Sequence, residues 1–232
     1  MTFSIAIDGP AGAGKSTIAK VLAKRLSFIY VDTGAMYRAI GYYAYKHVFE
    51  QKPFEINDQT MMEIQTYLEE HLSSLHITID YIDEEQHIFM NGVDVTDAIR
   101  SQEIGTMASI VSANKAVRVY LVEEQQRIAE KISVVMDGRD IGTFVLPKAP
   151  VKLFLTASSN IRAQRRFDQL IEKGESPDFD VLKQEIEERD YRDMNREYAP
   201  LKKAEDAIEL DSSYMNIDQV VDFIYDIVVS KM

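Results

Sequence analysis

The chain has no cysteine in its 232 residues, which excludes disulfides, thiolate metal sites, iron–sulfur clusters and thiol nucleophiles. Six prolines and ten glycines leave little room for long disordered tracts. No apolar run approaches the roughly 20 residues of a membrane span. No basic segment precedes the apolar stretch that starts at Phe3, so a signal peptide is not expected either, and a cytoplasmic chain fits these absences. The four histidines, His47, His71, His76 and His87, lack metal-ligand spacing. Neither a G-x-S-x-G elbow nor a Ser-His-Asp order occurs. A formal net charge of −12 repels a nucleic-acid polymer over most of the surface, so an anionic ligand has to be caught locally. Individual lysines and arginines therefore carry more information than their total.

Five short runs rich in Val, Ile, Leu and Phe read as buried strands: Phe3–Asp8, Phe28–Asp32, Ile132–Asp137, Val151–Thr156 and Ala207–Asp211. Each leads into a helical segment, and strands alternating with helices predict crossover units and a five-stranded parallel sheet flanked by helices. Four of the five runs end in aspartate, at the carboxyl edge where such sheets bind ligands. Helices are expected at Lys15–Leu26, Ala35–His47, Asp58–Leu72, Asn114–Lys131, Ser159–Lys173, Asp178–Arg196 and Asn216–Ser230, with Ser159 and Asn216 as N-caps and Gly174 as a stop. The crossover from Thr33 to Lys131 is far longer than one helix needs. Within it, Ile77–Tyr81 alternates in polarity and Asn91–Gly92 joins two further short strands, which predicts a small inserted antiparallel sheet of three strands.

Between the first strand and the first helix lies Gly9-Pro-Ala-Gly-Ala-Gly-Lys-Ser16, a phosphate loop in the strand–helix context it requires, so a P-loop NTPase fold is expected. Its glycines let backbone N–H groups converge on phosphates, Lys15 bridges them, and Ser16 can hold Mg²⁺. Arg162, Arg165 and Arg166 share one helix face, and Arg189, Arg192, Asp193 and Arg196 share another. The two stripes flank the segment 167–180 and can close over a triphosphate. The same spacings also suit solvated i, i+4 ion pairs. Arg38 and Arg139 follow strand ends, where arginine forks suit the phosphate of an acceptor.

Taken together, Ile7-Asp-Gly-Pro-Ala-Gly-Ala-Gly-Lys-Ser-Thr17, Asp32-Thr-Gly-Ala-Met-Tyr-Arg38, Asp137-Gly-Arg-Asp-Ile-Gly142, Ala157-Ser-Ser159 leading to Arg162 and Arg165-Arg166, and Glu188 to Arg196 closely resemble the bacterial cytidylate kinases, over essentially the whole chain. The resemblance implies transfer of the γ-phosphoryl group of ATP to CMP or dCMP with Mg²⁺, and a monomer is expected. It implies a core of residues 1–33, 132–166 and 190–232, a monophosphate-binding insertion of 34–131 and a helical lid of 167–189. Gly9, Pro10, Ala11, Gly12, Ala13, Gly14, Lys15, Ser16, Thr17 and Arg162 then bind ATP, while Lys15, Arg139, Arg165, Arg189 and Arg196 serve catalysis. Residues matching Arg38, Arg139 and Arg196 contact phosphates, those matching Ser109, Arg118 and Asp140 read cytosine, and those matching Arg189 and Asp193 reach the ribose side. Thr33 stands where some relatives have serine, and either hydroxyl can bind the base or ribose of CMP. Two rival readings are another small-molecule P-loop kinase and a nucleotide-dependent binding switch.

Overall fold

The computed structural model describes residues 2–82 and 85–232. In chain order its elements are β1 (Ser4–Asp8), α1 (Lys15–Leu26), β2 (Ile29–Asp32), α2 (Thr33–Phe49), α3 (Asp58–His71), β3 (Ile77–Ile82), β4 (Glu85–Met90), β5 (Val93–Asp94), α4 (Gln102–Val111), α5 (Lys115–Lys131), β6 (Val134–Gly138), β7 (Val151–Thr156), α6 (Ser159–Glu172), α7 (Phe179–Asn195), β8 (Ile208–Asp211) and α8 (Ile217–Lys231). The chain forms two compact units. One comprises residues 1–31 and 125–232, the other residues 32–124.

The first unit holds the five-stranded parallel sheet, in the order β2-β6-β1-β7-β8. Strand β1 lies between β6 and β7, and β7 pairs in turn with β8. Ile5, Ala6, Ile7, Val134, Val135 and Met136 are all fully buried, as expected when helices cover both faces of a parallel sheet and polar alternation is lost. Ile18 and Leu22 of α1 and Val220, Ile224 and Val228 of α8 pack with the strand residues Ile7, Leu153 and Leu155. Asp8, Asp32 and Asp211 end their strands and Asp137 is the last residue but one of β6, so the carboxylates collect along the carboxyl edge.

The second unit builds its own core from Met36, Ile40 and Ala44 of α2, Ile64 and Leu68 of α3, Ile88 and Met90 of β4, and Ile104, Met107 and Val111 of α4. Its three-stranded antiparallel sheet has the order β3-β4-β5. The link from β4 to β5 takes φ values of 51° at Asn91 and 78° at Gly92, the paired left-handed conformations of a two-residue hairpin turn.

Two details depart from the sequence patterning. Helix α4 is not among the expected helices, because Gly105 at its centre costs about 1 kcal/mol of helix propensity relative to alanine. The buried positions Ile104, Met107, Ala108 and Val111 nevertheless keep helical spacing, and Ser101 caps the helix by accepting from the Ile104 N–H. At α6 the cap is Ser158, not Ser159: its side chain accepts from the Ile161 N–H, while the Ser159 hydroxyl donates to Glu187. Asn216 caps α8 as expected, with Gln219 completing a capping box. Gly174 ends the helix before it with φ at 80°. No helix among the described residues is long and apolar enough to cross a membrane.

Candidate active site

At the end of β1 the chain turns through Gly9, Gly12 and Gly14, all at positive φ, before α1 begins at Lys15. At Gly9 the need for glycine is steric as well, since a Cβ there would sit 1.9 Å from the carbonyl oxygen of Leu155 on β7. Cations hold the loop by its carbonyls. Lys15 Nζ donates to Pro10 O at 2.7 Å, Arg162 Nη1 to Ala11 O at 2.9 Å and Arg165 Nη1 to Ala13 O at 3.4 Å. With its carbonyls engaged in this way, the loop has its N–H dipoles to offer an anion.

Lys15 is buried. Burial first, then the charges of Arg139 and Arg189, hold its amine well below the usual lysine range against the opposing pull of Asp137 and Asp8. Beside it the Ser16 hydroxyl donates to Asp137 Oδ2 at 2.8 Å, and the Tyr30 hydroxyl donates to Asp137 Oδ1 at 2.9 Å. Sequence reasoning placed Mg²⁺ on Ser16 alone. Asp137 was legible only as one of the strand-end aspartates, although its bond to the loop serine spans 121 positions of sequence.

The arginines of α6 and α7 play different parts. Arg162 is buried, and besides Ala11 it donates through Nε to Ala157 O at 2.9 Å and through Nη2 to Asp190 Oδ2 on α7 at 2.6 Å. Arg165 reaches Ser212 O at 2.8 Å, past the end of β8. On α7 the stripe divides: Arg192 is exposed, whereas Arg189 is half-buried and Asp193 buried. Arg139 Nε donates to Asp193 Oδ2 at 2.8 Å. Burial alone would raise the Asp193 carboxyl, but Arg139, Arg189 and Arg196 together hold it below the ordinary range. Arg196 Nη2 lies 3.6 Å from Asp140 Oδ1, with both side chains nearly buried.

Asp140 follows β6 and begins a wide turn over Ile141–Val145. Its carbonyl accepts from Phe144 N at 2.8 Å and Val145 N at 3.2 Å. The front of the turn is held by Asp8, whose two carboxylate oxygens accept from Ile141 N and Gly142 N at 2.7 Å each. The structure therefore brings Arg139, Asp140, Asp193 and Arg196 into one charged cluster, with Lys15 and Arg189 in electrostatic reach of Arg139 and Asp193 respectively.

The second unit carries the remaining candidates. Thr33 is buried at the start of α2, next to Asp32, which caps the helix by accepting from Ala35 N at 2.9 Å. Arg38, on the second turn of α2, donates to Ile99 O at 3.1 Å. Gly105 of α4 gives it room, for a Cβ there would lie 3.3 Å from Arg38 Nη2. Arg118 of α5 is 1% exposed, donates to Ser112 O at 3.3 Å and carries its guanidinium 5.4 Å from the centre of the Tyr37 ring. Ser109 lies on α4 and its carbonyl accepts from the Ser112 hydroxyl at 2.8 Å. Among the described residues no group of three or more His, Asp and Glu side chains could hold a metal ion.

Residues 5–230 match the model of the family described as cytidylate kinase. A cytidylate kinase of Geobacillus sp. (strain WCH70) is 48% identical over 228 residues, covering 98% of this chain and 97% of the relative. One of Bacillus anthracis (strain CDC 684 / NRRL 3495) is 48% identical over 226 residues, covering 97% and 96%. Among solved structures, an uncharacterized protein from Eubacterium ventriosum ATCC 27560 aligns over 99% of both chains with a TM-score of 0.52 and 14% identity, a likeness of fold alone.

Proposed function

The chain belongs to the cytidylate kinase family, and on that premise we propose how its residues divide the work of a nucleoside monophosphate kinase that phosphorylates CMP with ATP as donor. Neither rival reading is favoured by this membership. On the donor side, Gly9 to Thr17 cradle the phosphates of ATP and Lys15 bridges them, with Arg162 and Arg165 behind the loop. Ser16 and Asp137 offer two oxygens beside the loop, which suits Mg²⁺, an ion usually held by one or two protein oxygens together with phosphates and water. Bound there, Mg²⁺ would supply charge neutralisation on the phosphate oxygens.

On the acceptor side, Asp140 accepts from the 4-amino group of cytosine, a donor that uracil replaces with an acceptor. A carboxylate facing uracil is left unpaired, and such a mismatch discriminates strongly. Ser109 and Arg118 donate to the other polar atoms of the base. Arg38, Arg139 and Arg196 take the monophosphate, Arg189 and Asp193 address the ribose side, and the Thr33 hydroxyl binds the base or ribose of CMP or dCMP. The acceptor oxygen is already ionised near neutral pH, so no side chain has to remove a proton. Position and charge neutralisation carry the step. Residues 167–189 act as a lid over the core of 1–33, 132–166 and 190–232, and 34–131 form the monophosphate-binding part. The enzyme works as a cytoplasmic monomer.

The observation that carries this reading is the crowding of cations at the phosphate loop: the buried Lys15 on Pro10 O, Arg162 on Ala11 O and Arg165 on Ala13 O. A polyanion such as the triphosphate relieves that crowding. A coupled assay with ATP and each of CMP, dCMP, UMP and AMP tests the assignment, with CMP expected to turn over fastest. Faster turnover of UMP or AMP would overturn it.

A further inference from the structure

Asp8 is buried and has no part in the division of donor and acceptor roles proposed above, yet it bonds the segment that bears Arg139 and Asp140. Both of its oxygens are engaged there, one on Ile141 N and the other on Gly142 N, at 2.7 Å each. Gly142 is closely packed, since a Cβ would meet Asp8 Oδ2 and Lys152 Cδ at 3.2 Å. The hydrogen bonds from Phe144 and Val145 to the Asp140 carbonyl close the turn from the other side. Asp140 itself has φ −147° and ψ 23°, which is neither helix nor strand geometry, so its direction depends on these flanking bonds.

We propose that Asp8 is a positioning residue for the acceptor, and that its ionised carboxylate, by taking two adjacent backbone N–H groups, aims Asp140 and Arg139 at CMP. The proposal rests on the reading of Asp140 as the acceptor for cytosine. An ionised carboxylate has acceptors on both oxygens, whereas the protonated form turns a hydroxyl toward one of the two N–H groups. The charged groups facing Asp8 are Asp140 from the same turn and Lys15 from α1. From β7, Lys152 brings its stem against Gly142 while its amine is held on Pro147 O and Asp206. Burial, reinforced by Asp140, outweighs the two N–H groups and Lys15 and raises the Asp8 carboxyl to about 6.

The sign of this shift separates positioning from mere scaffolding. A carboxyl raised in the folded state contributes stability below its ordinary pKa of 3.8, and that stability is lost as pH rises through about 6. At pH 8 the ionised Asp8 is therefore less stabilising than its protonated form. Asp8→Asn removes that charge but leaves one of the two N–H groups without an acceptor, opposing effects that should leave Tm at pH 8 little changed. It should raise KM for CMP roughly tenfold, on the scale of one lost hydrogen bond to a charged group, with KM for ATP changed far less. Because wild type and variant share the titration of CMP, their KM ratio isolates Asp8, and it should fall toward one by pH 5.5. Gly142→Ala, which pushes the turn off Asp8 without removing it, should reproduce the CMP-selective rise.

An equal rise in KM for both substrates, or a KM ratio indifferent to pH, would overturn the proposal. So would a lower Tm at pH 8 with KM for CMP unchanged. Asp140→Ala distinguishes the layers. A raised KM for CMP in that variant alone leaves the cytosine reading intact and removes the role of Asp8, while no effect in either variant removes both.

Discussion

Two backbone turns lie at the carboxyl edge of the same sheet and are held in opposite ways. The phosphate loop is held by its carbonyls, on Lys15, Arg162 and Arg165. The turn after β6 is held by its N–H groups, on the carboxylate of Asp8. The first arrangement suits a loop that must present N–H dipoles to phosphates. The second suits a turn that must present side chains, Arg139 and Asp140, with its own donors already satisfied. Opposite charges thus fix two turns of opposite task, and apart from Lys15 on Pro10 these bonds join residues 133 or more positions apart.

The contrast can be broken most severely at the loop itself. Gly9→Ala places a methyl carbon inside the contact distance of Leu155 O. Backbone atoms of a central sheet cannot step aside, so a loss of about 3–5 kcal/mol and of measurable ATP affinity is expected, by denaturant unfolding and nucleotide titration. Arg162→Met removes the bond to Ala11 and leaves Asp190 buried without its cation. Breaking one partner of a buried pair costs about 3–5 kcal/mol at the upper end, and KM for ATP should rise while KM for CMP moves little. Adding Asp190→Leu should restore much of the stability but not the ATP affinity, because Ala11 stays unheld. The smallest effect belongs to Gly105→Ala, where the methyl meets only the tip of Arg38. Helix α4 should gain up to about 1 kcal/mol, and KM for CMP should rise a few-fold as the guanidinium gives way. The two changes have opposite signs, which a Tm measurement beside steady-state kinetics resolves.

These variants also mark how far the residues could be read in one dimension. The phosphate loop is a contiguous motif whose φ values follow from its glycines, so Gly9 to Ser16 were legible as the turn between the first strand and the first helix. The hairpin at Asn91–Gly92 was legible for the same reason. Helix α4 was not, because its Gly105 answers to the neighbouring Arg38 and not to the helix. The cap of α6 was misplaced by one residue, since Ser158 and Ser159 are equally good caps in sequence and only the backbone entry angle chooses. On α7, spacing put Arg189, Arg192 and Arg196 on one face, and packing then separated the exposed Arg192 from the other two.

What the sequence by itself determined is whatever follows from short-range covalent geometry and periodicity: the strand–loop–helix start, the parallel sheet, the inserted hairpins and the family. Those signals lie within a few residues of one another, so a linear reading captures them. Only the tertiary structure decided which charges meet. Arg139 finds Asp193 across 54 positions and Asp8 finds Ile141 across 133. Such pairings depend on which strands become neighbours and on how much water is excluded around them. Desolvation then sets whether a buried carboxyl such as Asp8 is an ordinary acid or one poised near neutrality.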